Sequence, residues 1–251
     1  MKKTTLLNVF VRSLFIHAAL NFKRMQNLGF AMAVIPVINQ LGLTKKESQE
    51  FLTKHLQVFN THPYFSAPII GTVVRLEEEN TSRDEAVDVH SIKRSLMASY
   101  AAIGDIFFWG ALRPFIAIIS VLLIYMGLVF APIVYLFVYT PIHFWVRVKG
   151  FIEGYRQGKR GFEFIRSMDM PSLAVKLRWI SLGVLMALII WLSRNGGYCP
   201  FTTSHTIIVK IVAMTVVILC LFLIKKGISQ ISIIYGAVVA FIILSWTGWI
   251  H

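Results

Sequence analysis

Few residues in this chain have types and spacing suited to ligand chemistry, and they stand far apart. Asn60, Thr61 and His62 come in succession, with Pro63 at the head of an apolar run. Asparagine and a neutral imidazole each offer a donor and an acceptor, which suits a hydroxyl-rich ligand. The same tetrapeptide also describes a helix start, with Asn or Thr as cap and Pro as first helical residue. Both readings stand. Glu77 and Glu78 follow the run and could contact ligand hydroxyls or latch the chain to a partner. Dense acid is more commonly solvated, and residues 75–94 hold six of the chain's twelve acidic residues. Asp105 sits inside an apolar stretch, where a carboxylate costs about 2.5–3.5 kcal/mol at membrane depth, so it must face protein or water and have a partner. Arg113 is eight residues on, beyond an i,i+4 pair. A structural ion pair and a place on a ligand pathway both fit Asp105. His17 and His143 read as interfacial or packed histidines. No phosphate-binding glycine loop, zinc motif or nucleophile elbow is present, so neither cofactor nor metal is expected.

The elements that must position these groups are membrane elements. Of 251 residues, 56% are hydrophobic and 15% charged, with mean hydropathy +0.67; soluble domains are about a quarter charged. The net charge of +13 would suit a nucleic-acid binder, but the basic residues flank apolar runs, as the positive-inside rule requires, so no nucleic acid is expected and anionic lipid is. Cys199 and Cys220 are too far apart for a disulfide on one helix, roughly 30 Å. The opening residues, broken by Arg12, His17 and Asn21, read as a surface amphipathic helix over the first thirty positions rather than a cleaved leader.

The run from 113 to 145 is too long for one straight span and predicts a full span plus a broken piece. Residues 180–192 are just long enough to cross with their neighbours, and 206–224 with 228–250 predict a C-terminal transmembrane hairpin. Apolar stretches at 28–43, 63–74 and 96–112 are short or carry a polar residue, the pattern of re-entrant segments beside a pathway. The fold class is therefore an all-α integral membrane protein. Residues 1–112 hold the amphipathic helix and re-entrant segments; 113–251 hold the main transmembrane helices.

Four stretches then carry a family resemblance in order along the chain: NFKRMQNLGF at 21–30, FNTHPYFSAPIIGTVVRLEEE at 59–79, IGDIFFWGALRP at 103–114 and GYRQGKRGFEFI at 154–165. Together they resemble the IID component of mannose, fructose and sorbose phosphotransferase systems. The resemblance implies a multi-pass subunit of the bacterial inner (plasma) membrane that forms, with a IIC subunit, the path for a hexose-type sugar. Cytoplasmic IIA and IIB subunits relay the phosphoryl group, and IID carries no phosphorylation site. It brings Asn60, Thr61 and His62 toward a sugar-pathway role, while Asp105 stays open between the two readings above; Asn21 and Arg24 are candidates for subunit contact, with Met25 and Gln26 packing.

Two departures mark this chain. Lys23 stands where the family has an acid, and residues 97–102 read MASYAA where the family has two glycines and a proline. They keep open an alternative, a degenerate paralogue serving as membrane scaffold or sensor.

Overall fold

Amphipathic patterning at both ends of the N-terminal region produces short helices that pack against one another, while the apolar runs beyond residue 88 produce long ones. The computed structural model describes residues 1–81 and 87–194, and thereafter only positions 215, 218, 219, 222, 223, 226 and 236. The expected C-terminal hairpin, with Cys199 and Cys220, lies outside the described residues. The chain divides into two compact units, Met1–Leu188 and Ile189–His251, and the hydrophobic core formed by the described residues lies in the first.

The first unit begins with α1 (Lys3–Ser13), eleven residues long rather than the thirty expected. It buries Val9 against its neighbours and leaves Leu7 and Val11 exposed. Helix α2 (Asn27–Leu41) contains Pro36 and ends on Gly42, whose φ of +65° is the left-handed stop that glycine adopts at least cost. Helix α3 (Lys45–His55) starts with a capping box in which Thr44 and Glu47 satisfy each other's backbone donors. Helix α4 (Ser66–Thr81) buries every residue from Ser66 to Val74 and surfaces only toward its C-terminal end.

Helix α5 (Val89–Gly104) runs into a π-helical segment, Asp105–Leu112, and then into α6 (Arg113–Tyr125). The three form one continuous helix of 37 residues, about 55 Å long at 1.5 Å per residue and ample to cross a bilayer. Residues 96–112 are thus part of a long helix and not a separate broken piece. A break at Gly127, with φ +86°, reverses the chain into α7 (Ala131–Gln157), which continues through Pro141. The run from 113 to 145 is therefore two helices joined at a turn. Helices α8 (Gly161–Ser167) and α9 (Met170–Arg194) follow.

Helix α4 lies along α7, and glycines permit the approach. An added Cβ on Gly71 would collide with the Phe151 carbonyl, and one on Gly154 with the Pro68 carbonyl. Outward faces of α6 and α7 are apolar, with Val121, Ile124, Ile133, Leu136 and Phe137 exposed. Among the described residues the structure is helical without named strands, and two helices are long and apolar enough to cross a membrane.

Candidate functional site

The site is built around residues 59–65, and what holds that segment is a side chain imitating a strand. Asn21 and Met25 exchange backbone hydrogen bonds of 3.0 and 2.8 Å, closing a turn in which Met25 takes φ +56°. Asn21 Oδ1 accepts from the Arg24 N–H at 2.8 Å and its Nδ2 donates to Asn27 Oδ1 at 2.8 Å, so its amide is spent stabilising the turn. The backbone of Gln26 then donates to the Phe59 carbonyl at 2.8 Å. Two residues further, where no parallel strand continues, the Gln26 side chain takes over. Its Nε2 donates to the Thr61 carbonyl at 2.8 Å and its Oε1 accepts from the Thr61 N–H at 3.2 Å. His17 Nε2 lies 2.8 Å from the same Gln26 nitrogen. Arg24, a candidate for subunit contact, donates to the Leu56 carbonyl at 3.2 Å from an exposed position.

With the segment anchored, its side chains diverge. Asn60 is exposed, with its N–H 3.0 Å from Met97 Sδ. Thr61 and His62 are buried, at 4% and 2% exposure. The tetrapeptide is not a helix cap: a turn intervenes, in which Phe65 N–H donates to the His62 carbonyl, before α4 starts at Ser66. The His62 ring stacks on Phe108 at 5.3 Å and lies 4.9 Å from Tyr64 and 4.8 Å from Trp109. Gly104 leaves room for it, since a Cβ there would fall on the ring. Burial above all, then the charges of Arg147 and His17, pushes His62 down to about 3, so the ring is neutral.

From Tyr64 the cluster extends into α7. His143 stacks on the Tyr64 ring at 4.4 Å, and the Arg147 guanidinium lies 4.9 Å from the same ring centre. Thr61 Oγ1, His62 Nε2, His143 Nδ1 and Arg147 Nε are all buried without a hydrogen-bond partner among the described residues. Buried polar atoms are rarely left unpaired, because each costs about 1–3 kcal/mol. A hydroxyl, a neutral imidazole pair and a guanidinium beside aromatic faces can hydrogen-bond a hydroxyl-rich ligand and pack against its apolar side.

The acidic candidates lie elsewhere. Glu77 is buried inside α4, not in a solvated loop; its Oε1 is 2.7 Å from Lys54 Nζ and 3.1 Å from His55 Nε2. Burial raises the Glu77 carboxyl, but the bonds and charges of His55 and Lys54 prevail and hold it below the usual carboxylate range. Glu78 accepts from Tyr155 Oη at 2.6 Å and also meets the Met1 amino group and Arg75. Both glutamates fasten α4 to other parts of this chain. Asp105 opens the π-helical segment on an exposed surface beside Ile106 and Trp109, and no cation among the described residues pairs with it.

The structure therefore brings Thr61 and His62 together with Gln26, His17 and His143, which sequence reasoning treated as packed or interfacial, and with Tyr64, Phe108 and Arg147, which it did not single out as site residues. One signal was available. Tyr135, Tyr139, His143 and Arg147 recur every four residues, which aligns them on one face of α7.

Comparison with known proteins agrees over the whole length. The family model for the mannose/fructose/sorbose family IID component of the phosphotransferase system matches residues 1–250. The fructose permease IID component of Bacillus subtilis (strain 168) is 27% identical, with 100% of this chain and 98% of that protein covered. The mannose-specific EIID component of Escherichia coli (strain K12) is 28% identical over 91% of this chain and 87% of its own. Among solved structures, a chain of the mannose transporter ManYZ in complex with microcin E492 superposes with TM-score 0.60 at 27% identity, covering 99% of this chain and 96% of that one. Another, described as a membrane protein, reaches TM-score 0.71 at 26% identity with the same coverage.

Proposed function

The chain belongs to the mannose/fructose/sorbose family of phosphotransferase-system IID components, and from that premise we propose that it forms a sugar path with a IIC subunit, to which the cluster around Thr61 and His62 contributes. It is a membrane protein and a subunit of a sugar phosphotransferase system. In this reading it crosses the bacterial inner membrane several times, and IIA and IIB subunits deliver the phosphoryl group to a hexose-type sugar that the membrane pair admits.

The observation that carries the reading is that, of six buried side-chain atoms without a hydrogen-bond partner among the described residues, the four outside His55 gather in one cluster, on Thr61, His62, His143 and Arg147. A structural role would leave such atoms paired; a pathway leaves them free for passing hydroxyls. Asn60, exposed at the entrance of the segment, completes the set. Asp105 and the exposed turn carrying Phe22, Lys23 and Arg24 form the surface offered to IIC. Glu77 and Glu78 keep the scaffold rigid behind it. Segments 28–43 and 63–74 enter the membrane from the cytoplasmic side without crossing it, and the last forty-odd residues form the hairpin.

The test is uptake and phosphorylation of labelled mannose, fructose and sorbose in cells lacking their own mannose-type systems and supplied with this chain and its IIC, IIB and IIA partners. Uptake of one sugar that falls at least tenfold in Thr61→Val and His62→Phe, with the IIC–IID complex recovered in normal amount, is the expected result. Undiminished uptake in both variants would remove the cluster from the path.

A further inference from the structure

A second cavity, of about 630 Å³, opens between α3 and the start of α5. Its lining is strongly basic: Arg24, His90, Lys93 and Arg94, joined by the hydrogen-bonding groups of Thr53 and Gln57. No carboxylate lines it among the described residues. Lys93 is 2% exposed; its Nζ donates to the His55 carbonyl at 3.3 Å and lies 3.8 Å from the Phe30 ring centre. Those contacts place the Lys93 amino group, and a dianion in the cavity would hold it in its protonated form. Glu77 lies within electrostatic reach of Lys93, yet its Oε1 is already held by Lys54 and His55. Asp88 is turned to the α5 backbone, accepting from the His90 and Ser91 N–H groups at 3.0 and 3.2 Å.

From this geometry we infer that the cavity is a binding site for a phosphate monoester. Three cations around one space exceed what a carboxylate uses, since one guanidinium already satisfies a carboxylate in bidentate fashion. A phosphate dianion offers three acceptor oxygens and matches a cluster of guanidinium forks and an ammonium. The volume lies within the range of small-ligand sites and exceeds what phosphate needs, leaving room beside Thr53 and Gln57 for a polyhydroxylated ring. Its position agrees with a cytoplasmic ligand. The basic turn at Gly158–Arg160 ends α7 on the side where positive charge stays, and Gly158 packs on Arg75 of α4. The Lys54–Glu77 pair ties α3 to that same end. A sugar phosphate is the cytoplasmic product of the proposed reaction, and the choice of a sugar phosphate as source rests on that reading; a phosphatidate headgroup carries the same chemistry.

The experiment uses the full chain with its IIC partner in nanodiscs. Mannose 6-phosphate, with mannose as control at equal ionic strength, is titrated by calorimetry against phosphatidylcholine discs, and retention of labelled phosphatidic acid is measured in a parallel set. Saturable binding of mannose 6-phosphate but not mannose, weakened at least tenfold in the Arg94→Gln variant, is expected. The Arg94 side chain is exposed, so the variant's unfolding temperature should match the parent's and certify its fold. Retention of phosphatidic acid that the variant loses, without binding of mannose 6-phosphate, assigns the pocket to a lipid phosphate. Binding of neither, or equal binding by parent and variant, overturns the inference. Sugar uptake by the parent complex is scored separately: transport without phosphate binding fails this inference alone, and phosphate binding without transport fails the transport reading alone.

Discussion

Gln26 satisfies two backbone groups of Thr61 with one side-chain amide. Replacing it with leucine keeps comparable bulk and leaves the Thr61 N–H and carbonyl unpaired in a buried place, at about 1–3 kcal/mol for each group. Gln26→Leu should lower the unfolding temperature of the purified protein by about 5–10 °C; equal unfolding temperatures for parent and leucine variant would refute the anchor. Titration supplies a second residue-level expectation. His55 is held below its ordinary value of 6.5, chiefly by burial, and Glu77 below its ordinary 4.5, burial being outweighed by its bonds and charges with His55 and Lys54. In both, the unfolded chain binds a proton at higher pH than the folded one, so both contributions are present above the ordinary value and are lost as pH falls. Stability followed by denaturant or heat should therefore decline from about pH 6.5 downward and again through the carboxylate range. In Glu77→Gln the second decline should shrink, with the gap to the parent widest near neutral pH.

Between elements, the contact of α4 with α7 depends on the absence of side chains at Gly71 and Gly154. Gly71→Ala and Gly154→Ala each push a methyl into backbone, an overpacking cost of about 1–3 kcal/mol. Among the described residues nothing lies within 4 Å of a Cβ added to Gly183 in α9, and Gly183→Ala should stabilise by about 0.5–1 kcal/mol through helix propensity. Opposite shifts in unfolding temperature for these substitutions would establish the close approach, and shifts of one sign would deny it. The π-helical segment is the other element of interest, since π-helical geometry is rare and concentrates at functional sites. Asp105 begins it without a cation among the described residues. Asp105→Asn should leave the stability of the isolated chain within about 0.5 kcal/mol while reducing sugar uptake by the assembled transporter. A variant that destabilises the isolated chain by several times that amount would mean the carboxylate serves the fold.

At the scale of the molecule, α7 spans 27 residues, about 40 Å, enough to separate the Gly127 turn from the basic turn at Gly158–Arg160 by a bilayer. Single cysteines at Lys159 and at Val129, the latter widely exposed, should therefore label from opposite sides. An impermeant thiol reagent on intact cells is expected to reach position 129 and to reach 159 only after permeabilisation; the reverse pattern would invert the orientation. Composition and charge alone determined that the chain lives in a membrane, because hydropathy and the placement of Lys and Arg are properties of short windows. Ordered local motifs likewise carried the family, and Asn60 to Pro63 marked where the site begins. Tertiary structure alone decided that Gln26, 35 residues from Thr61, supplies that segment's missing partner, that Glu78 reaches Tyr155 across 77 residues, and that His143 and Arg147 join His62 through Tyr64. Those outcomes depend on which buried polar atoms meet when helices pack; the recurrence at 135, 139, 143 and 147 marks a face of α7, but the partner that face meets is not written in the local pattern of either.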